Sequence, residues 1–184
     1  MGLLVSSGTA GLDANPIPFL LDASQGPKGT LLAHVARANP HGALLDDTDV
    51  LVIFNGPHGY VSPSWYQQHP AVPTWNYAAV HVYGRARLIA DDARLRDLLN
   101  RLSERHEDGR ANPWRMDSLP DSYLAGMIKG IVGFEIEIER LDGKLKLSQN
   151  RGGADRRNVI AALAKSDSAE DRALADFMTR HAAP

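Results

Sequence analysis

The chain has 184 residues and not one cysteine. Disulfides, thiolate nucleophiles and cysteine-ligated zinc are thereby excluded, and a reducing, cytoplasmic setting is the expectation. Long apolar runs are missing too: none reaches bilayer length, and no charged-then-apolar leader opens the sequence. Neither sign of charge is in excess, with 20 Lys and Arg against 22 Asp and Glu. The resulting net charge of −2 argues against whole-molecule attraction to nucleic acid. There is no Gly-x-Gly-x-x-Gly, no P-loop, no Gly-x-Ser-x-Gly and no His-Glu-x-x-His. The seven histidines (34, 41, 58, 69, 81, 106 and 181) have no compact metal-ligand spacing, so no metal and no catalytic residue is assigned.

Aromatics are scarce, 7% of the chain, and concentrated. The stretch 60–77 (YVSPSWYQQHPAVPTWNY) holds two of the three tryptophans and three of the five tyrosines. Its three prolines fix φ and push the preceding residues toward extended geometry, so the run is too stiff and broken for a helix. Trp65, Tyr66, Trp75 and Tyr77 are thus held in set directions. They suit a flat ligand, a subunit interface, or a cap over the end of a sheet.

Periodicity supplies the elements. Strands are expected at Leu3 to Ser7, at Asn15 to Leu21, at Thr30 to Val35, at Asp49 to Phe54, at Tyr77 to Ile89 and at Ile131 to Glu139. Gly8 to Gly11 reads as a turn. Prolines 16 and 18 place the second strand at an edge or bulge. Gly84 marks a bulge or a close approach to the backbone. Leu141-Asp142-Gly143-Lys144 reads as a tight hairpin turn, with Leu145 and Leu147 on a return strand. Helices are expected over 91–107, capped by Asp91 or Asp92, over 118–129, and twice in the tail, where Ser168 and Asp171 resemble a capping box. Six or seven strands and four helices favour a small barrel in a single domain.

Two polar stretches stand out. His34 to His41 (HVARANPH) ends a strand with a cation and an amide that suit a phosphate, or make a surface turn. Lys144 to Arg151 (KLKLSQNR) follows with donors suited to a polar ligand edge, or to a loop entering the last helices.

With HVARANP (34–40), YVSPSWY (60–66), VPTWNY (72–77), HVYG (81–84) and GKLKLSQNR (143–151) in this order, the chain resembles the PaiB-type family, named FMN-binding negative transcriptional regulators. The resemblance covers nearly the whole length. It implies an α+β, mainly β fold: an FMN-binding split β-barrel with flanking helices, homodimeric, with flavin at the subunit interface. The barrel domain would span 1–152 with inserted helices at about 91–129, and 153–184 would be a helical extension packed on it. By motif position, Arg37 and Asn39 are phosphate candidates. Trp75, Asn76 and Tyr77 would lie near the cofactor or interface, and Lys146, Ser148, Gln149 and Asn150 would approach from the 143–151 segment.

The chain departs from the family pattern in four places. It lacks a segment of some twenty residues before Leu3, has Gly42 where an aromatic is common, has Leu145 for a bulkier aromatic, and is shorter over 67–71. The family name implies DNA as a partner, but the basic residues are spread and the helices at 91–107 and 118–129 are too far apart for a helix-turn-helix. The expected function is flavin-mediated regulation. The alternatives are an FMN-dependent oxidoreductase, for which Tyr66, Tyr77 and His81 are candidate proton donors but none is compelling, and a cofactor-free dimer.

Overall fold

The computed structural model describes residues 1–8 and 11–181. The chain runs β1 (Gly2–Gly8), β2 (Gly11–Ile17), β3 (Leu20–Asp22), β4 (Thr30–Ala36), β5 (Thr48–Val61), β6 (Thr74–Leu88), α1 (Asp92–Glu107), α2 (Asp121–Lys129), β7 (Ile131–Lys146), α3 (Gly153–Ala164) and α4 (Ala169–Arg180). The strands form one sheet in the order β2-β1-β5-β6-β7-β4-β3. β1 is antiparallel to β2 and β5, and β4 is antiparallel to β3 and β7. The turn expected at 8–11 includes Thr9 and Ala10, which lie outside the described residues.

By internal contacts the chain divides into two units, Met1–Ile53 with His81–Leu141, and Phe54–Val80 with Asp142–Pro184. In the first, α1 and α2 cover the sheet with Leu95, Leu98, Leu102 and Ile128 against Leu20, Leu32 and Ile89. Asp91 caps α1 by accepting from the Ala93 N–H at 2.8 Å. In the second, α3 and α4 pack Val159, Leu163, Leu174 and Met178 against Val61, Tyr66 and Leu147. Ser168 accepts from the Asp171 N–H, the expected half of a capping box; the Asp171 carboxylate accepts from Ser166 Oγ instead of reaching back to the cap.

Among the described residues there are seven strands and four α-helices, within the six or seven strands and four helices expected from periodicity, with two differences. The Asn15 to Leu21 run is two strands, β2 and β3, divided at Pro18-Phe19, and these are the two edges of the sheet. That is where prolines missing a donor are tolerated. The hairpin at Asp142-Gly143 does not form. β7 continues for 16 residues through it, and Gly143 is not among the positive-φ glycines that a two-residue turn requires. Its neighbour β6 is itself 15 residues long, so a matching ladder competes successfully with a local turn signal. Among the described residues no helix is long and apolar enough to cross a membrane.

Gly84 lies opposite the β7 backbone: a Cβ built there would sit 2.1 Å from the Glu137 carbonyl oxygen. The close approach expected of this glycine is therefore to a neighbouring strand. Gly42 is buried, and a Cβ on it would stand 3.2 Å from Val35 Cγ2, so a bulky residue here would have to displace β4 side chains.

Candidate functional site

The second unit carries the aromatic stretch. Ser62 caps a 3-10 turn, Pro63–Trp65, by accepting from the Ser64 N–H. From that turn Tyr66 goes into the core at 5% exposure, and the Arg151 guanidinium lies 4.2 Å from its ring centroid. Asp155, 2% exposed, accepts from the Gln67 N–H at 2.6 Å and ties the loop to α3. The stretch thus splits into a packed half around Tyr66 and a displayed half. In the displayed half Trp75 and Tyr60 are 52% and 46% exposed. Their rings meet edge to face at 6.2 Å, and His58 lies the same distance from Trp75 on a tilted plane. β5 and β6 are neighbours, and period-2 geometry brings 58, 60, 75 and 77 to one shelf.

β7 adds one cation to this shelf and a second near the start of β6. Lys144 Nζ stands 6.0 Å from the Tyr77 centroid, and Lys146 Nζ donates to Thr74 Oγ1 at 2.5 Å. Asn76 points the other way along the strand and is wholly buried. Its amide donates to Ser148 Oγ at 2.9 Å and approaches Met178 Sδ at 3.5 Å. Ser148 is also buried and adopts φ 60°, a left-handed conformation unusual for serine that turns the chain out of β7. Gln149 secures that turn, donating to the Leu145 carbonyl and accepting from the Leu147 N–H, both at 2.7 Å. Asn150 is exposed. Of the seven sequence candidates in this unit, Trp75, Tyr77, Lys146 and Asn150 face outward or are half-buried, while Asn76, Ser148 and Gln149 hold the strand end in shape.

Arg37 and Asn39 belong to the other unit. Arg37 Nε donates to the Lys129 carbonyl at 2.7 Å and Nη2 to the Ile131 carbonyl at 2.8 Å. Its guanidinium thus satisfies a backbone acceptor at the end of α2 and is immobilised, with Nη1 free to bind elsewhere. Asn39 Oδ1 accepts from the His41 N–H at 3.0 Å and caps the 3-10 turn Pro40–Leu44.

That turn delivers His41, which periodicity did not single out. It is 0% exposed, with Nε2 2.8 Å from Ser6 Oγ and Nδ1 2.8 Å from Asn15 Nδ2. The Asn15 amide nitrogen also donates to Asp13, so Nδ1 is the acceptor and the Nε2 proton goes to Ser6. Burial pushes the His41 pKa down, opposed by Asp13. This is a neutral, structural histidine. Its signal in the sequence was only its position beside Asn39-Pro40, because the partners lie on β1 and β2.

A family model described as "Putative FMN-binding domain" matches residues 1–140. The chain is 41% identical over 149 residues to "Protease synthase and sporulation protein PAI 2" of Bacillus subtilis, covering 80% of this chain and 71% of that protein. In structure it is similar to an FAD and heme binding protein of Mycobacterium smegmatis, with a TM-score of 0.60 and 19% identity over 88% of this chain and 71% of that one. A flavocytochrome of Azotobacter vinelandii gives 0.54 and 16%, over 85% and 66%. At such identities these likenesses establish the fold, the α+β, mainly β split barrel. The match over residues 1–140 and the identity to the Bacillus protein together show that this chain belongs to the PaiB-type family of FMN-binding-domain proteins.

Proposed function

We propose that this protein is an FMN-binding regulator of the PaiB type, acting in the cytoplasm as a homodimer that holds the flavin between subunits. The observation that carries the reading is the aromatic shelf of Trp75, Tyr60 and Tyr77 with Lys144 beside it. Exposed aromatics of this size, set on strands, offer a flat apolar face, and an adjacent ammonium group complements the electron-rich pyrimidine edge of a flavin. The residues fit the group. Trp75 and Tyr77 would meet the ring, and Lys146 and Asn150 would donate to its polar edge. Asn76, Ser148 and Gln149 would keep the end of β7 in register. Arg37, through its free Nη1, and Asn39 would hold the phosphate. Bound FMN supplies one- and two-electron redox chemistry, and the protein binds, orients and shields it.

Regulation would then act through the flavin state or the dimer surface. α1 and α2 are separated by residues 108–120 and make no helix-turn-helix. A gel-shift assay at physiological salt is expected to show no tight, sequence-selective complex with the protein alone; such a complex would overturn this part of the proposal.

The test of the flavin reading is a fluorescence titration with FMN and with riboflavin. Saturable FMN binding is expected, weakened about tenfold in Trp75→Ala, which corresponds to about 1.4 kcal/mol of lost stacking and burial. Riboflavin is expected to bind more weakly than FMN, and Arg37→Gln should narrow that difference. Equal affinity for the two would remove the phosphate assignment. Binding of neither would leave the family fold without its flavin. Sedimentation of the same samples checks the dimer.

A further inference from the structure

The first unit contains a hollow of about 340 Å³ of which the flavin reading uses only Arg37, at one wall. It lies where the end of β6, the start of α1, the end of α2 and the start of β7 converge. Its floor is apolar, built from Leu95, Ile128, Ile131 and Val132. Arg37, Arg96 and Lys129 stand around it, with Asp92 as the only acidic residue in the lining. This volume is within the range of small-molecule sites, about 300–1,000 Å³, which are mostly apolar with a few placed polar groups.

The cations are not equivalent. Arg37 is a fixed wall, two of its nitrogens committed to the Lys129 and Ile131 carbonyls. The same bonds anchor the backbone from which the Lys129 side chain springs. Arg96 follows Asp92 by four residues on α1, yet no ion pair links them, and among the described residues neither Arg96 nor Lys129 has a side-chain partner. α1 begins beside the hollow, so its positive end adds to the field. Lys129 is exposed and Arg96 half-buried, so both charged groups stand unpaired at the mouth of the hollow, open to an anion arriving from solvent.

We infer that this hollow binds a small organic carboxylate: an anionic head between Arg96 and Lys129, and a flat or short aliphatic body on Leu95, Ile128 and Val132. The apolar floor selects against inorganic anions, and the rim selects against cations of the same shape. The site does not depend on flavin binding and stands if FMN fails to bind.

The probe is benzoate, with benzylamine as the cationic isostere and inorganic phosphate as the bare anion, followed by amide chemical shifts of the full chain. Benzoate is expected to saturate with a Kd of about 1 mM or below, shifting resonances of α1, α2 and the start of β7. Arg96→Gln and Lys129→Gln should each weaken it about fivefold to tenfold, with flavin affinity unchanged. Asp92→Asn should tighten it, a gain that misfolding cannot imitate. The inference is overturned if benzoate does not saturate, if benzylamine or phosphate binds as tightly, or if the glutamine variants leave Kd unchanged. It is also overturned if Lys129→Gln weakens FMN but not riboflavin, since the hollow would then serve the flavin phosphate.

Discussion

Gly84→Ala is expected to destabilise the protein by about 3 kcal/mol or more, the largest effect of any conservative substitution in the sheet. An alanine Cβ would lie 2.1 Å from the Glu137 carbonyl oxygen and 2.9 Å from Ile136 Cγ2. Carbon and oxygen approach to little less than 3.4 Å in ordinary contact, so β7 would have to move by more than an ångström. β7 cannot move alone, because residues 131–137 are paired one-to-one with β4. The strain is purely steric, since the φ of Gly84 is not in the left-handed region. For a chain of this length the loss corresponds to about 6–12 °C in Tm. Gly143→Ala, in β7 but with nothing within 4 Å of the added methyl, is the control and should stay within about 0.5 kcal/mol of the parent. Thermal melts of the two variants decide the matter: equal shifts would mean that β6 and β7 are not packed as described.

His41→Ala is expected to cost about 3 kcal/mol. The substitution leaves a cavity where a wholly buried ring stood, and it strands Ser6 Oγ, itself 3% exposed, along with the Asn15 amide. The same residue sets a pH dependence. Burial holds the His41 pKa below the ordinary imidazole value of 6.5, partly offset by Asp13, and burial does the same to His34. The unfolded chain takes up these protons near 6.5 while the folded chain does not. The stabilisation is therefore fully present above about 6.5 and is lost as pH falls toward the lowered folded values. Urea midpoints of the parent should drop between neutral and mildly acid pH. Those of His41→Ala should start lower and fall less steeply. A midpoint that rose on acidification would contradict the neutral, buried assignment. Asp22, whose carboxylate is held low by hydrogen bonds from Ser24 and then by Arg101, adds a loss of the same sign at more acid pH.

These two positions show different degrees of legibility. Gly84 was conspicuous because a glycine inside a strict alternation has to answer to something close by; what was close, the Glu137 carbonyl, lies 53 residues later and carries no local mark. His41 looked like one more loop histidine. Its two ring partners, Ser6 on β1 and Asn15 on β2, are distant in sequence, and only the fold brings them within 3 Å. The 60–77 stretch reads in sequence as one aromatic feature, and the structure divides it into Tyr66, packed on α3 and α4, and Trp75, held outward. Adjacent residues Trp75 and Asn76 point oppositely because a strand alternates, so one is on the shelf and the other in the core.

The residues alone encode the local choices. These are the amphipathic helices with their caps at Asp91 and Ser168, the alternating strands, the edge positions of the prolines, and the motif order that marks the family. Each is an interaction within a few residues, so pattern suffices to read it. Packing between distant segments sets the rest: β7 runs straight through Asp142-Gly143, Arg37 is tied to the end of α2, Asn76 and Ser148 face each other, and Arg96 and Lys129 border an apolar hollow. Those depend on ladder partners and packing between segments tens of residues apart, where the free energy of a long-range contact overrides the preference of the local turn or side chain.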